Sequence, residues 1–319
     1  MALSRNDALP LDGLAHILTN ERHLMGLAMR KWIALGISVA GIFLAGPAWS
    51  GGTDDPLLRP IAPNSSKRWL TPQEPSRLFG QTYLVGFGGL SVTLIRTSAG
   101  LILIDGAVPQ AVPDIEAHIA MLGFSIKQVK LILSSEPHFD HAGGIPALAR
   151  DSGATVVASA AGAAVLRTGG GDPNDPQAAW LKRFPPVAKL RTVRNGEAIR
   201  LGDTVITARA TPGHTMGSMS WNWRSCEERR CKTVVFASSL NPVAADGWRF
   251  SDPAHRPFVT ALRNSFAKVR AMPCDILISA HPDQASAPQS GSDTGACRRY
   301  TERPAAALEQ KLRDEAKRP

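Results

Sequence analysis

Residues 129–144 read VKLILSSEPHFDHAGG, an apolar run that ends in two histidines and two carboxylates within six positions. The run VKLIL reads as a buried strand. Buried strands do not normally end in four chelating groups, here Glu136, His138, Asp140 and His141, without a cation to neutralise them. The pattern recurs further on, where His214 in ATPGHTMGS follows VITARA and His281 follows DILISA. The chain therefore needs a fold in which several strands end at one edge, so that loops distant in sequence can converge.

The remaining patterning supplies such strands. TYLVGFGGLSVTLIRTSAGLILIDG, residues 82–106, gives three strand-like runs separated by Gly-Gly and Ser-Ala-Gly turns, an antiparallel meander. A helix over 112–122, the strand before the cluster, a helix from about residue 144 and a strand ATVVAS follow. A second half opens near residue 190 with the hairpin-like TVRNGEAIRLGDTVITARATPG, then SMSWNW, TVVFASSL, a helix over 259–269 and DILISAHP. Two β-rich halves, about 80–189 and 190–319, are expected to pack face to face within one domain at 51–319. The fold class is α/β, an αβ/βα four-layer sandwich. Residues 54–77 are proline-rich and polar, a linker or an arm over the body, and residues 300–319 read as a charged terminal helix.

With 319 residues and 44% hydrophobic content, the chain can bury one large core or two fused ones. The formal charge of +9 does not indicate nucleic acid, because Lys and Arg are interspersed with acids and only two Tyr are present for stacking. From Met29 the sequence has a basic start (Arg30, Lys31), an apolar stretch over 32–44 and small residues around Ala48 and Ser50. This is the pattern of a secretory signal over 29–50. The stretch is too short for the roughly 20 residues of a spanning helix, and Pro47 ends it. Residues 1–28 then form an upstream extension, the mature protein keeps no membrane anchor, and its expected location is periplasmic or secreted. Export also suits four cysteines, which allow three pairings; by proximity the simplest joins Cys226 to Cys231 and Cys274 to Cys297. No CxxC spacing supports a zinc ribbon. His118, on a helix beside Glu116, and His255, beside Pro253 and Arg256, are read as solvent-facing.

EPHFDH has the form of a His-x-His-x-Asp-His motif with glutamate in the first position. Together with IDG (104–106), AGG (142–144), TPGHTMGS, SSLNP (238–242), ADGWRF (245–250) and SAHP (279–282), it resembles the metallo-β-lactamase superfamily, and within it subclass B3. The resemblance covers nearly the whole mature chain. It implies two zinc ions, the first held by Glu136, His138 and His214, the second by Asp140, His141 and His281. It further implies hydrolysis of a β-lactam amide by a hydroxide held between the ions and oriented by Asp140. Ser239, standing where other subclasses have a cysteine ligand, and Asn241 would bind the substrate carboxylate, and Trp248 would donate its indole N–H to the oxyanion. The Cys274–Cys297 pair matches a disulfide of that subclass.

A carboxylate can coordinate zinc at about 2.0–2.2 Å, so Glu136 is a permissible ligand, although an anionic donor lowers the Lewis acidity of its ion. A second reading keeps Glu136 behind the ligands. Beside the lactamase stand two alternatives, a lactonase or thioesterase on the same scaffold and a weakly active metal-binding protein. A monomer with a small-molecule substrate is expected.

Overall fold

The computed structural model describes residues 55–285 and 292–317; the extension expected at 1–28 and the signal expected at 29–50 lie outside the described residues. The first sheet holds seven strands in chain order: β1 (Ser76–Phe79), β2 (Thr82–Leu84), β3 (Thr93–Thr97), β4 (Gly100–Ile104), β5 (Val129–Leu133), β6 (Thr155–Ser159) and β7 (Leu190–Val193). Pairing is antiparallel from β1 to β4 and parallel from β4 to β7. Parallel neighbours need crossovers, and these are helical. After β4 comes α2 (Val112–Met121), after β5 come α3 (Phe139–Ala142) and α4 (Ile145–Ser152), and after β6 comes α5 (Ala160–Thr168). The second sheet holds β8 (Ala198–Leu201), β9 (Thr204–Ala210), β10 (Met219–Glu227), β11 (Arg230–Ala237) and β12 (Ile276–Ser279). Their spatial order is β12-β11-β10-β9-β8.

Alternation along the central strands stacks the layers. In β4, Leu101 and Leu103 point to the outer cluster and Ile102 and Ile104 to the inner one, the period-two pattern of a strand buried on both faces. The inner cluster joins these isoleucines, Leu133 and Val157 to Ile206, Trp221, Trp223, Phe236 and Ile278 of the second sheet. Outside the first sheet lie Ile115 and Ile119 of α2, Leu148 of α4 and Leu166 of α5. Outside the second lie Val259, Leu262 and Phe266 of α6 (Arg256–Arg270) and Leu308 of α7 (Ala296–Ala316). The buried positions of α6 recur every three to four residues, as an amphipathic helix on a sheet requires. The four layers expected from the sequence are present.

Two boundaries differ from expectation. β7 pairs with β6 and completes the first sheet, so the hairpin expected to open the second half begins only at β8. Residues 56–70 form a 3-10 turn (Pro56–Leu58) and α1 (Pro63–Trp69), whose Leu57, Leu58, Ile61 and Trp69 pack on the outer cluster. The proline-rich segment is thus an arm bound by its few apolar residues. Disulfides join Cys226 to Cys231 across the β10–β11 hairpin and Cys274 to Cys297 between the approach to β12 and α7. Closing the longer loop stabilises the fold by about 3 kcal/mol. No helix among the described residues is long and apolar enough to cross a membrane.

Candidate metal centre

The ends of β4, β5, β9, β11 and β12 deliver the site. Asp105 follows β4 in a left-handed conformation, φ 64°. Its carboxylate accepts from the Ser135 backbone N–H at 2.6 Å and the Ser135 hydroxyl at 2.5 Å, which fixes the chain leaving β5. The Gly106 N–H donates to the His141 carbonyl and the Gly144 N–H to the Ala107 carbonyl, both at 2.9 Å. A Cβ at Gly144 would stand 2.1 Å from the Gly106 carbonyl oxygen, so only glycine permits this clasp. IDG and AGG are therefore two sides of one contact, and α3 rises from it with Asp140 and His141 in its single turn. His214 sits in a tight loop entered through Gly213, φ +133°, where a Cβ would meet the Leu262 backbone nitrogen at 2.7 Å.

Second partners aim the imidazoles. Nδ1 of His214 donates to the Asn241 carbonyl at 2.8 Å and Nδ1 of His281 to the Gly89 carbonyl at 3.0 Å. Nδ1 of His141 lies 3.5 Å from Asp105 Oδ2. With Nδ1 engaged, Nε2 of each ring turns inward, the usual device for orienting a metal-binding histidine. His141 Nε2 lies 2.8 Å from Glu136 Oε1, 3.0 Å from His281 Nε2 and 3.5 Å from Asp140 Oδ2. His281 Nε2 is 3.4 Å from the same Asp140 oxygen. Donor atoms of Glu136, His141 and His281 all fall within 4.8 Å of one another. The other two histidines sit edge to face with ring centres 5.0 Å apart. His138 Nε2 donates to Asp175 Oδ2 at 3.0 Å, which leaves its Nδ1 as the metal-facing atom, and His214 Nε2 meets the Gln177 amide at 3.2 Å.

Charge in this pocket is arranged for a cation. Burial would push the Glu136 carboxyl up, yet the surrounding His141, His214 and His138 hold it well below the ordinary range. Asp140 is likewise lowered against burial by His141 and His281. Against burial, Asp140 and Glu136 hold His141 protonated well above the usual histidine range, and Asp175 raises His138. Burial lowers His214 and raises Asp105. Glu136 is fully buried: its Oε1 accepts from the Ser239 hydroxyl at 2.7 Å, and its Oε2 has no hydrogen-bond partner. A bare buried carboxylate oxygen costs free energy that a coordinated cation removes. Four imidazoles and two carboxylates are also the donor types zinc takes, so the residues present fit a metal.

A cavity of about 410 Å³ opens over the cluster, lined among others by His138, Asp140, His214, His281, Asn241, Gln177 and Trp180. Glu136 and His141 lie beneath its floor. Two residues expected to meet substrate do not line it. Ser239 is fully buried and its hydroxyl is spent on Glu136. Trp248 stacks on His255, ring centres 3.5 Å apart and planes 6° from parallel, and packs edge-on against Phe258 of α6. That apolar capture keeps its indole away from any oxyanion. His255 is accordingly half buried, with Nδ1 2.6 Å from the Arg249 carbonyl. His118 is half buried too, bonding the Val85 carbonyl at 2.9 Å beside Phe87. Asp105, Asp175 and Gln177 were not picked out from the sequence. Only the IDG stretch carried a signal, as a strand end shared with the resemblance.

The metallo-beta-lactamase superfamily profile matches residues 85–281, a span holding all six candidate ligands. A solved structure described as the first B3 metallo-beta-lactamase with an active site glutamic acid is 55% identical. It covers 83% of this chain and 99% of its own, with a TM-score of 0.81. MEM-A1, a subclass B3 metallo-beta-lactamase isolated from a soil metagenome library, is 46% identical over 79% of this chain and all of its own, TM-score 0.76. The Rm3 metallo-beta-lactamase is 40% identical over 81% and 100%, TM-score 0.77. An acyl-coenzyme A thioesterase, MBLAC2 of Gallus gallus, is 31% identical over 126 residues, 34% of this chain and only 43% of that relative's length. The chain belongs to the metallo-beta-lactamase superfamily. Within it the likeness is to subclass B3, with glutamate in the first position of the metal motif.

Proposed function

We propose that the protein is a zinc-dependent subclass B3 β-lactamase that opens the amide of a small, carboxylate-bearing lactam without a covalent enzyme intermediate. The gathering of His138, Asp140, His214 and His281 along an open cavity, with Glu136 and His141 buried against His281, carries this reading. Glu136, His138 and His214 would hold one ion, and Asp140, His141 and His281 the other. Bound zinc supplies Lewis acidity toward the lactam carbonyl and a nucleophile from water at neutral pH. The chain does the rest. Asp140, ionised and lining the cavity, is placed to orient a water and take its proton. Arg68 and Lys182, the basic side chains lining the cavity, face the substrate carboxylate in place of Ser239, with Asn241 at the edge. Trp180, 46% exposed, offers an apolar face to the substrate body.

The same reading makes residues 29–50 a secretory signal and the location periplasmic or secreted; the two disulfides support it. It takes the mature protein as a monomer without an anchor. The test measures zinc content and hydrolysis of a chromogenic cephalosporin on one preparation, with and without chelator. About two zinc per chain and chelator-sensitive turnover are expected. Metal-loaded protein that cleaves only thioesters or lactones would overturn the reading.

A further inference from the structure

We propose that Ser239 is the positioning residue for Glu136, and that its hydroxyl makes the glutamate a one-oxygen ligand. The inference rests on the reading of Glu136 as a metal ligand. A glutamate carboxylate turns about a broad, two-fold terminal torsion, so its oxygens are equivalent until something distinguishes them. Here Ser239 does. Its Oγ donates to Oε1 at 2.7 Å, the oxygen that also lies 2.8 Å from His141 Nε2; Glu136 and Ser239 are fully buried, and Oε2 is left without a hydrogen-bond partner. One oxygen is anchored and the other is free to coordinate.

The serine can hold this position because its own backbone is braced. The preceding Ser238 donates its N–H to the Ser220 hydroxyl at 3.2 Å, shares a hydroxyl contact with Thr211 at 2.8 Å, and accepts from the Tyr300 hydroxyl of α7 at 3.1 Å. Thr211 and Ser220 are bonded to each other at 2.9 Å. This buried lattice of hydroxyls spans β10, the end of β11 and α7, and it fixes the point from which Ser239 reaches across to the loop after β5. An ionised carboxylate can only accept, so the partner must donate. Serine does so and alanine cannot.

The experiment is a double-mutant cycle read as metal affinity. Ser239→Ala and Ser239→Thr are made in the native chain and in Glu136→His. Zinc is titrated against a competing chelator, metal content is measured directly, and thermal unfolding of the metal-free proteins checks folding. In the native background Ser239→Ala should weaken one of the two ions by about 10- to 100-fold and leave the other unchanged, while Ser239→Thr keeps the native affinity. In Glu136→His, Ser239→Ala should change affinity by less than about 3-fold, because the acceptor is gone. Equal losses in both backgrounds, or none in the native one, overturn the inference alone. If Ser239→Ala does not fold, a Ser239→Thr protein that has lost one ion overturns it and one that keeps both supports it. Glu136→Ala with both ions at native affinity overturns the ligand reading and the inference together.

Discussion

The six candidate ligands fall into two groups that the fold supports differently. Glu136, Asp140, His141 and His281 form a nested cluster whose donors face one another at 2.8 to 3.5 Å. Their outer partners are backbone or buried groups: the Gly89 carbonyl, Asp105 and Ser239. His138 and His214, which line the cavity together with Asp140 and His281, lean on Asp175 and Gln177 of the 172–177 loop. The first group is held by the sandwich itself, the second partly by a surface loop. The difference shows where a carboxylate is tolerated as a ligand. Glu136 stands in the buried set, where a hydroxyl and an imidazole share its charge, and its short reach is compensated by a rigid surround.

Removing a ligand of the nested cluster should have the largest effect. Asp140→Ala and His281→Ala are expected to cut cephalosporin hydrolysis well beyond the roughly 100-fold range for groups that only support ligands. Metal analysis should show one ion lost. Asp175→Asn acts on the other group by weakening the carboxylate that orients His138, so the affinity of the ion it shares with Glu136 and His214 should fall by about 10-fold or more while the ion of Asp140, His141 and His281 is kept. Loss of both ions would erase the distinction between the groups. At the cavity rim, Arg68→Ala and Lys182→Ala should each raise KM for an anionic substrate by about two- to five-fold, as expected of exposed charges, with kcat unchanged. An esterified substrate should show no such rise. The smallest effect is expected at His118. His118→Ala gives up one hydrogen bond, about 1 kcal/mol of stability, and activity per folded molecule should stay at the native level.

Much of this was legible in the sequence, for a physical reason. Glu136, His138, Asp140 and His141 are contiguous and follow an apolar strand, so the strand period and the chemistry of the residues speak together. His214 and His281 also stand just past strand ends. The supporting groups were hidden because their contacts are long in sequence and irregular in setting. Asp175 meets His138 across 37 residues from a Gly- and Pro-rich loop, and Ser239 meets Glu136 across 103. Trp248 was misplaced because neighbourhood in sequence does not reveal which apolar surface will capture a ring, here Phe258 and His255 of the α6 entrance.

The central claim is that Glu136 ligates metal through a carboxylate in the place of an imidazole. Zinc titration of the native protein, Glu136→Ala and Glu136→His, with cephalosporin turnover measured on the same samples, tests it most directly. Glu136→Ala should bind one zinc at native affinity and the other at least about 10-fold more weakly, with turnover falling in step, and Glu136→His should bind two. Two tightly held ions and native turnover in Glu136→Ala would contradict the claim.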